Sequence, residues 1–343
     1  MTTRVRRARR ADALTAAIPW PPAAYEALRR LAPLAALTGA LPRSASSRAA
    51  PSRIVRRLER RRQWSGTSDS TVGQYIRRGH PGALTVLVER HYPAVHSYLR
   101  TCLTEPGPVE WATEETFRRA YQATERGTDV FMVWRIQLLA TARTVAMRVW
   151  AQDTLSPGIT TEFRQWAASG GTWPIEARVA LSDAYTHLPM RWQTALWHSV
   201  IECDDPAVLG KVLGVPKEKV PLFSDRARGA LRDSYLAAYR RKVENRLPCL
   251  VYAQGRSLHP VGASEHWSDS HQAQCTFCGQ VESDLSDLDH QLRAQLPEKL
   301  LGWWNDTAYR EMRRSSHPSV DKALSLARRI RSGECRRTVG RHL

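Results

Sequence analysis

The chain has 343 residues, with 51 lysines and arginines against 33 acids, for a formal charge of +18 and a sequence pI near 10.3. That length holds two or three small domains, and the cationic excess favours a polyanionic partner, nucleic acid ahead of a membrane surface. The composition speaks against several classes. No apolar run approaches the roughly 20 residues that span a bilayer. Six cysteines in so long a chain do not make a disulfide scaffold. No glycine-rich phosphate loop, G-x-S-x-G or H-E-x-x-H word marks an enzyme.

Residues 1–66 are rich in Arg, Ala and Pro, with charge-dense clusters at Arg4–Arg10 and Arg53–Arg62. This segment is expected to be largely disordered, with one short helix around Ala24–Leu37, and to serve as a solvated tail or a phosphate-binding arm. Pro19-Trp20-Pro21-Pro22 interrupts any signal-like apolar core, so a cytoplasmic location is expected. Cys102 and Cys203 sit in apolar helical contexts and read as buried thiols, whereas Cys335 reads as a free thiol.

Residues 67–151 are strongly helical in pattern. Leu84, Leu87, Val88, His91, Tyr92, Val95, Tyr98 and Leu99 follow the i, i+3, i+4, i+7 spacing of one buried face. Pro106-Gly107-Pro108 marks a break, followed by a helix with Trp111, Phe117 and Tyr121 and another from about Val130 to Trp150. The words Gly79–Leu84, Arg90-His91-Tyr92, Glu114–Arg118 and Leu138–Arg143 resemble region two of bacterial sigma factors of the extracytoplasmic-function class, in the sigma-70 family. The resemblance implies that Glu114, Glu115 and Phe117 face core RNA polymerase. It also implies that Trp134, Gln137 and Arg143 face the minus-ten promoter element. Two departures predict weaker docking and strand opening: an acidic word has become Pro108-Val109-Glu110-Trp111, and the promoter-facing Trp is Gln137.

Residues 152–176, with Pro157, Gly158, Gly170, Gly171 and Pro174, read as a linker. A helix-turn-helix follows within 177–240. Asp204 or Asp205 caps a helix whose first position is Pro206, and Gly214-Val215-Pro216 stops it. The next helix carries Lys217, Lys219, Arg226 and Arg228 for phosphates or bases, but Pro221 conflicts with a helix interior, so either that helix starts later or its first turn is distorted. The words Leu188–His198, Pro206–Gly214 and Arg226–Leu231 resemble region four of the same sigma class, which implies contact with the minus-thirty-five element.

Between 245 and 300 stand Cys249 and then His271-x3-Cys275-x2-Cys278. That spacing suits a CysHisCysCys zinc site of structural type, with His259 and His266 as rival ligands and a metal-free redox pair as the competing reading. The word resembles the zinc-containing anti-sigma domain fused to some sigma factors of this class, with Leu285, Leu288, Leu292 and Leu296 extending an amphipathic helix. This resemblance implies a regulatory role, by packing on sigma surfaces or binding a further regulatory protein. The tail 301–343 carries Trp303-Trp304, expected in a core or interface helix, and arginines expected to be solvated.

The expected architecture is therefore all-α: two small helical domains, joined by a linker, and a C-terminal helical zinc-binding domain. The expected function is that of a non-enzymatic initiation factor that binds core RNA polymerase and promoter DNA, without a membrane partner. The alternatives are a DNA-binding regulator that no longer opens promoters and a zinc-dependent protein-interaction module.

Overall fold

The computed structural model describes residues 64–127, 133–152, 158–171, 180–258, 271–315 and 320–333. The expectations for residues 1–63, for His259 and His266 and for Cys335 lie outside these. The described residues are helical and contain no strand; Leu103 and Ile159 form an isolated antiparallel bridge.

Four helices build the first unit: α1 (Asp69–Arg77), α2 (Ala83–Cys102), α3 (Pro106–Glu125) and α4 (Trp134–Gln152). Ser68 caps α1 by accepting a hydrogen bond from the Thr71 amide. The break at Pro106 is the start of α3, where a missing amide proton costs nothing because the first turn has no partner for it. The predicted stripe on α2 is buried, with Leu87, Val88, Val95, Tyr98 and Leu99 at the centre of the core.

The expected linker holds a helix, α5 (Thr161–Ala168). Phe163 and Trp166 are buried there, and their rings lie 5.3 and 5.7 Å from that of Trp303. Trp303 and Trp304 themselves occupy a short non-helical connection in the core, not a helix.

The next unit runs through α6 (Ala180–Thr186), α7 (Met190–Leu196), α8 (Pro206–Leu213) and α9 (Val220–Lys242). A π-turn, Trp197–Ile201, continues α7, and the chain then turns through Cys203 at φ +51°. Cys203 is exposed in that turn, which corrects the expectation of a buried thiol. Asp205 is the cap of α8, accepting from the Ala207 amide at 2.7 Å. Gly214 is left-handed at φ +70°, and a Cβ on it would meet the Ser68 nitrogen at 2.7 Å. Glycine is thus required twice there, by conformation and by contact with the α1 entry. A 3₁₀ turn, Lys217–Lys219, delays α9, so Pro221 falls in its first turn and the conflict disappears.

The remaining helices are α10 (Leu247–Leu258), α11 (Thr276–Ser286), α12 (Leu288–Leu301), α13 (Asp306–Ser315) and α14 (Val320–Ser332). Helices α13 and α14 pack along α2, while α12 lies against α4, α6 and the π-turn. The tail is therefore part of the main core rather than an appendage.

Candidate metal centre and nucleic-acid interface

Cys249 comes from α10, His271 from a helical turn at 271–274, Cys275 from the cap of α11 and Cys278 from its first turn. One ligand atom from each lies within 4.8 Å of every other, so the four could hold a single metal ion. The Cys249 and Cys275 sulfurs are 3.8 Å apart, and Cys278 Sγ is 3.2 Å from His271 Nε2. Sulfurs about 2.3 Å from a tetrahedral metal stand about 3.8 Å apart, so the donor set is compatible with zinc. Burial pushes the Cys278 thiol up to about 12, whereas the backbone amide of Cys278 holds the Cys275 thiol below its ordinary value. A bound cation would stabilise both as thiolates.

The cluster is tied to α9, the helix that follows the Gly214 turn. Tyr239 of α9 lies 3.1 Å from Cys278 Sγ through its hydroxyl. One turn earlier the Tyr235 hydroxyl donates to Asp284, at 2.5 Å. Further along, Arg228 Nε and Nη2 both donate to Asp289, at 3.0 and 2.9 Å. Residues 228, 235 and 239 share one face of the helix at i, i+7 and i+11, so α9 is linked to α11 and α12 by three side chains along that face.

Of the four basic positions expected at DNA, Lys217, Lys219 and Arg226 are exposed, while Arg228 is half-buried against Asp289. The other expected contacts are less accessible. Trp134 is buried, packed against Gly73, and Gln137 is half-buried. Arg143 donates to the Leu301 carbonyl at 2.7 Å. Glu114 pairs with Arg329 of α14, and Glu115 is clamped by Arg118 and Arg119 at 2.5 and 2.6 Å. Phe117 is a core residue stacked on Tyr92, so it is corrected from an interface position to a packing one.

A second constellation was missed from sequence. Arg90 donates to Asp69 at 2.6 Å, and His91 Nε2 sits 2.7 Å from the other Asp69 oxygen. Arg135 Nε donates to His91 Nδ1 at 3.0 Å, so that nitrogen is an acceptor, Nε2 carries the proton, and His91 is neutral. Arg135 also donates to Glu202. Glu202 further accepts from Tyr309 and Arg313, both at 2.7 Å, and Arg313 reaches Asp204 at 2.6 Å. Asp204 in turn lies 2.7 Å from His198 Nδ1. Three arginines thus face three carboxylates beside the neutral His91, a balance that a buried network requires. Burial drives the His91 pKa down to about 4. For Asp69 burial works the other way, but His91 and Arg90 outweigh it and leave the carboxyl at about 2. The available signals were His91 inside an apolar stripe and Arg135 between Trp134 and Ile136.

The tail arginines also depart from expectation, since Arg313 and Arg329 form ion pairs with acids on other elements instead of a purely solvated face. No protein-family model, curated protein or solved structure matches the chain.

Proposed function

We propose that this protein is a sigma-factor-like transcription initiation protein of the cytoplasm that binds core RNA polymerase and promoter DNA and is modulated by its C-terminal metal-binding segment. The observation that carries this reading is the α8–α9 unit. It has a capped first helix, a left-handed Gly214 turn and a second helix whose approach exposes Lys217, Lys219 and Arg226. Those cations supply the sequence-independent phosphate attraction on which groove reading is superimposed. The bundle of α1–α4 stands in the chain order that the resemblance requires, ahead of the helix-turn-helix and the Cys/His cluster.

In this reading Cys249, His271, Cys275 and Cys278 hold one structural zinc ion, with no position left for substrate. A bound ion would supply folding energy to the α10–α11 corner. Asp289 of α12 holds Arg228 of α9 and would compete with a phosphate for it. A second reading, a DNA-binding regulator that does not open promoters, draws support from Trp134, which is 7% exposed and packed against Gly73 rather than presented to bases. Run-off transcription with core polymerase separates the two: transcript that depends on the added protein supports initiation, and DNA binding without transcript supports the regulator.

A further inference from the structure

Between the first bundle and the α6–α9 unit lies a pocket of about 250 Å³. The starts of α1 and α4, at Asp69 and Trp134, line it from one side, and α7, the π-turn and the end of α8 line it from the other. Trp134, Met190, Val212 and Leu213 contribute apolar surface, and the exposed Arg191 stands among its lining residues. That size suits a ligand smaller than a drug molecule.

His198 is a lining residue whose hydrogen bonding the rest of the fold leaves incomplete. Its side chain is fully buried, and Nδ1 lies 2.7 Å from an Asp204 oxygen. Burial pushes the Asp204 pKa up, but His198, Arg135 and Arg313 outweigh it and hold the carboxyl below its ordinary value. An ionised carboxylate only accepts, so Nδ1 carries a proton. Nε2, on the other side of the ring, is buried and has no hydrogen-bond partner among the described residues. Leaving it so costs free energy that a bonded group in the pocket recovers. His198, Glu202 and Asp204 stand close enough to hold a cation, but Arg135 and Arg313 already occupy the two carboxylates.

A carboxyl group fits Nε2 in either proton position. As the acid it donates its O–H to Nε2; as the carboxylate it accepts from Nε2–H, with Asp204 stabilising the imidazolium from behind. The first-turn amides of α1 and α4 have no partner inside their helices and favour negative charge, and Arg191 adds a cation. The apolar residues call for a hydrocarbon body on the same molecule. We infer that this pocket binds a small organic acid, its carboxyl on His198 Nε2 and its hydrocarbon body against Trp134, Met190 and Leu213. An occupant touches both units at once, so binding ties the first bundle to α7 and α8. It requires neither polymerase nor DNA.

Titration calorimetry on the full chain with benzoate, phenylacetate and hexanoate tests this site, with benzyl alcohol and inorganic phosphate as controls. At least one acid should bind one to one with a Kd of about 1 mM or below, the range for so small a ligand, and raise the thermal unfolding midpoint. Benzyl alcohol lacks the carboxyl and phosphate lacks the hydrocarbon body, so each should bind about tenfold more weakly. His198→Asn keeps a donor for Asp204, removes Nε2 and should weaken the acid about tenfold. Because that variant touches the buried network, Ser70→Trp, at an exposed lining position, supplies a second block; it should abolish binding and leave the unfolding midpoint of the free chain unchanged. No saturable binding by any of the acids overturns the pocket as a ligand site. Equal affinity for benzoate and benzyl alcohol, or full acid binding in both variants, overturns His198 as the anchor. Phosphate binding as tight as the acids overturns the organic-acid assignment.

Discussion

The Cys/His cluster and the buried arginine–carboxylate network are both polar sites closed in by helices, but they are assembled over different chain distances. The cluster draws its four residues from positions 249–278, two of them in adjacent turns of one helical entry. The network draws Asp69, Arg90, His91, Arg135, Glu202, Asp204 and Arg313 from α1, α2, α4, the turn after α7 and α13. The first could hold a metal ion and would then act as a local staple. The second joins the amino-terminal bundle, the α6–α9 unit and the tail, and its charges balance only when all three are in place. A local site can be lost with little effect elsewhere, whereas a distributed one stabilises the whole chain.

The largest effect that would sharpen this contrast is expected from Arg135→Ala. It leaves Glu202 and Arg313 in a disturbed buried network and should cost about 3–5 kcal/mol, the usual penalty for orphaning a buried ionic partner. Urea unfolding measures it, and a loss below about 1 kcal/mol, the range of surface pairs, would show that the network is peripheral.

Cys278→Ser probes the other side. Structural zinc sites contribute roughly 10–16 kcal/mol over four ligands, so loss of one should cost about 3 kcal/mol of metal affinity. Metal analysis should show the ion lost from the variant under chelator challenge, while the urea midpoint of the main helical transition hardly moves. A global collapse in this variant would erase the distinction between local and distributed sites.

Acid should act through the network. His91 is neutral in the fold with a pKa near 4, against 6.5 in the unfolded chain, so between those values the unfolded chain binds more protons. Stability is then fully present above about pH 6.5 and falls as pH drops towards 4, by about 2–3 kcal/mol. Asp69, at about 2 against 3.8, adds a further loss below pH 3.8. A urea midpoint that stays flat from pH 7 to 4 would contradict the neutral-histidine assignment.

The smallest effects are expected at the basic residues in and just before α9, which the proposed function sets against DNA. Lys217→Ala and Arg226→Ala should each remove about one phosphate contact and lower the slope of log affinity against log salt by about 0.9. Arg228→Ala should change little while Asp289 engages it, and Asp289→Asn should strengthen DNA binding by several fold. Equal losses at Arg226 and Arg228, read by anisotropy with promoter-length duplex, would mean that Asp289 does not restrain Arg228.

The same contrast explains what was legible in the sequence. The α2 stripe, a cap at Asp204 or Asp205, the Gly214 turn and the His-x3-Cys-x2-Cys word could be read because each depends on neighbours a few residues away. Pro221 signals a later helix start or a distorted first turn, and the 3₁₀ turn at Lys217–Lys219, which nothing in the sequence announces, decides for the later start. The network was invisible because Arg135, Glu202 and Arg313 belong to residue types that are ordinarily solvated, and only packing across distant segments brings them together. The same limit applies to Arg143, Arg228 and Glu114. Their chemistry suits a partner, and the fold first offers them Leu301, Asp289 and Arg329.

The most direct test of the proposed function is size-exclusion chromatography of the purified chain with core RNA polymerase at micromolar concentration, with metal content read on the same fractions. The account predicts co-elution, with about one zinc ion per chain travelling with the complex. Separate elution of the two, with duplex DNA still bound by the chain, would contradict it.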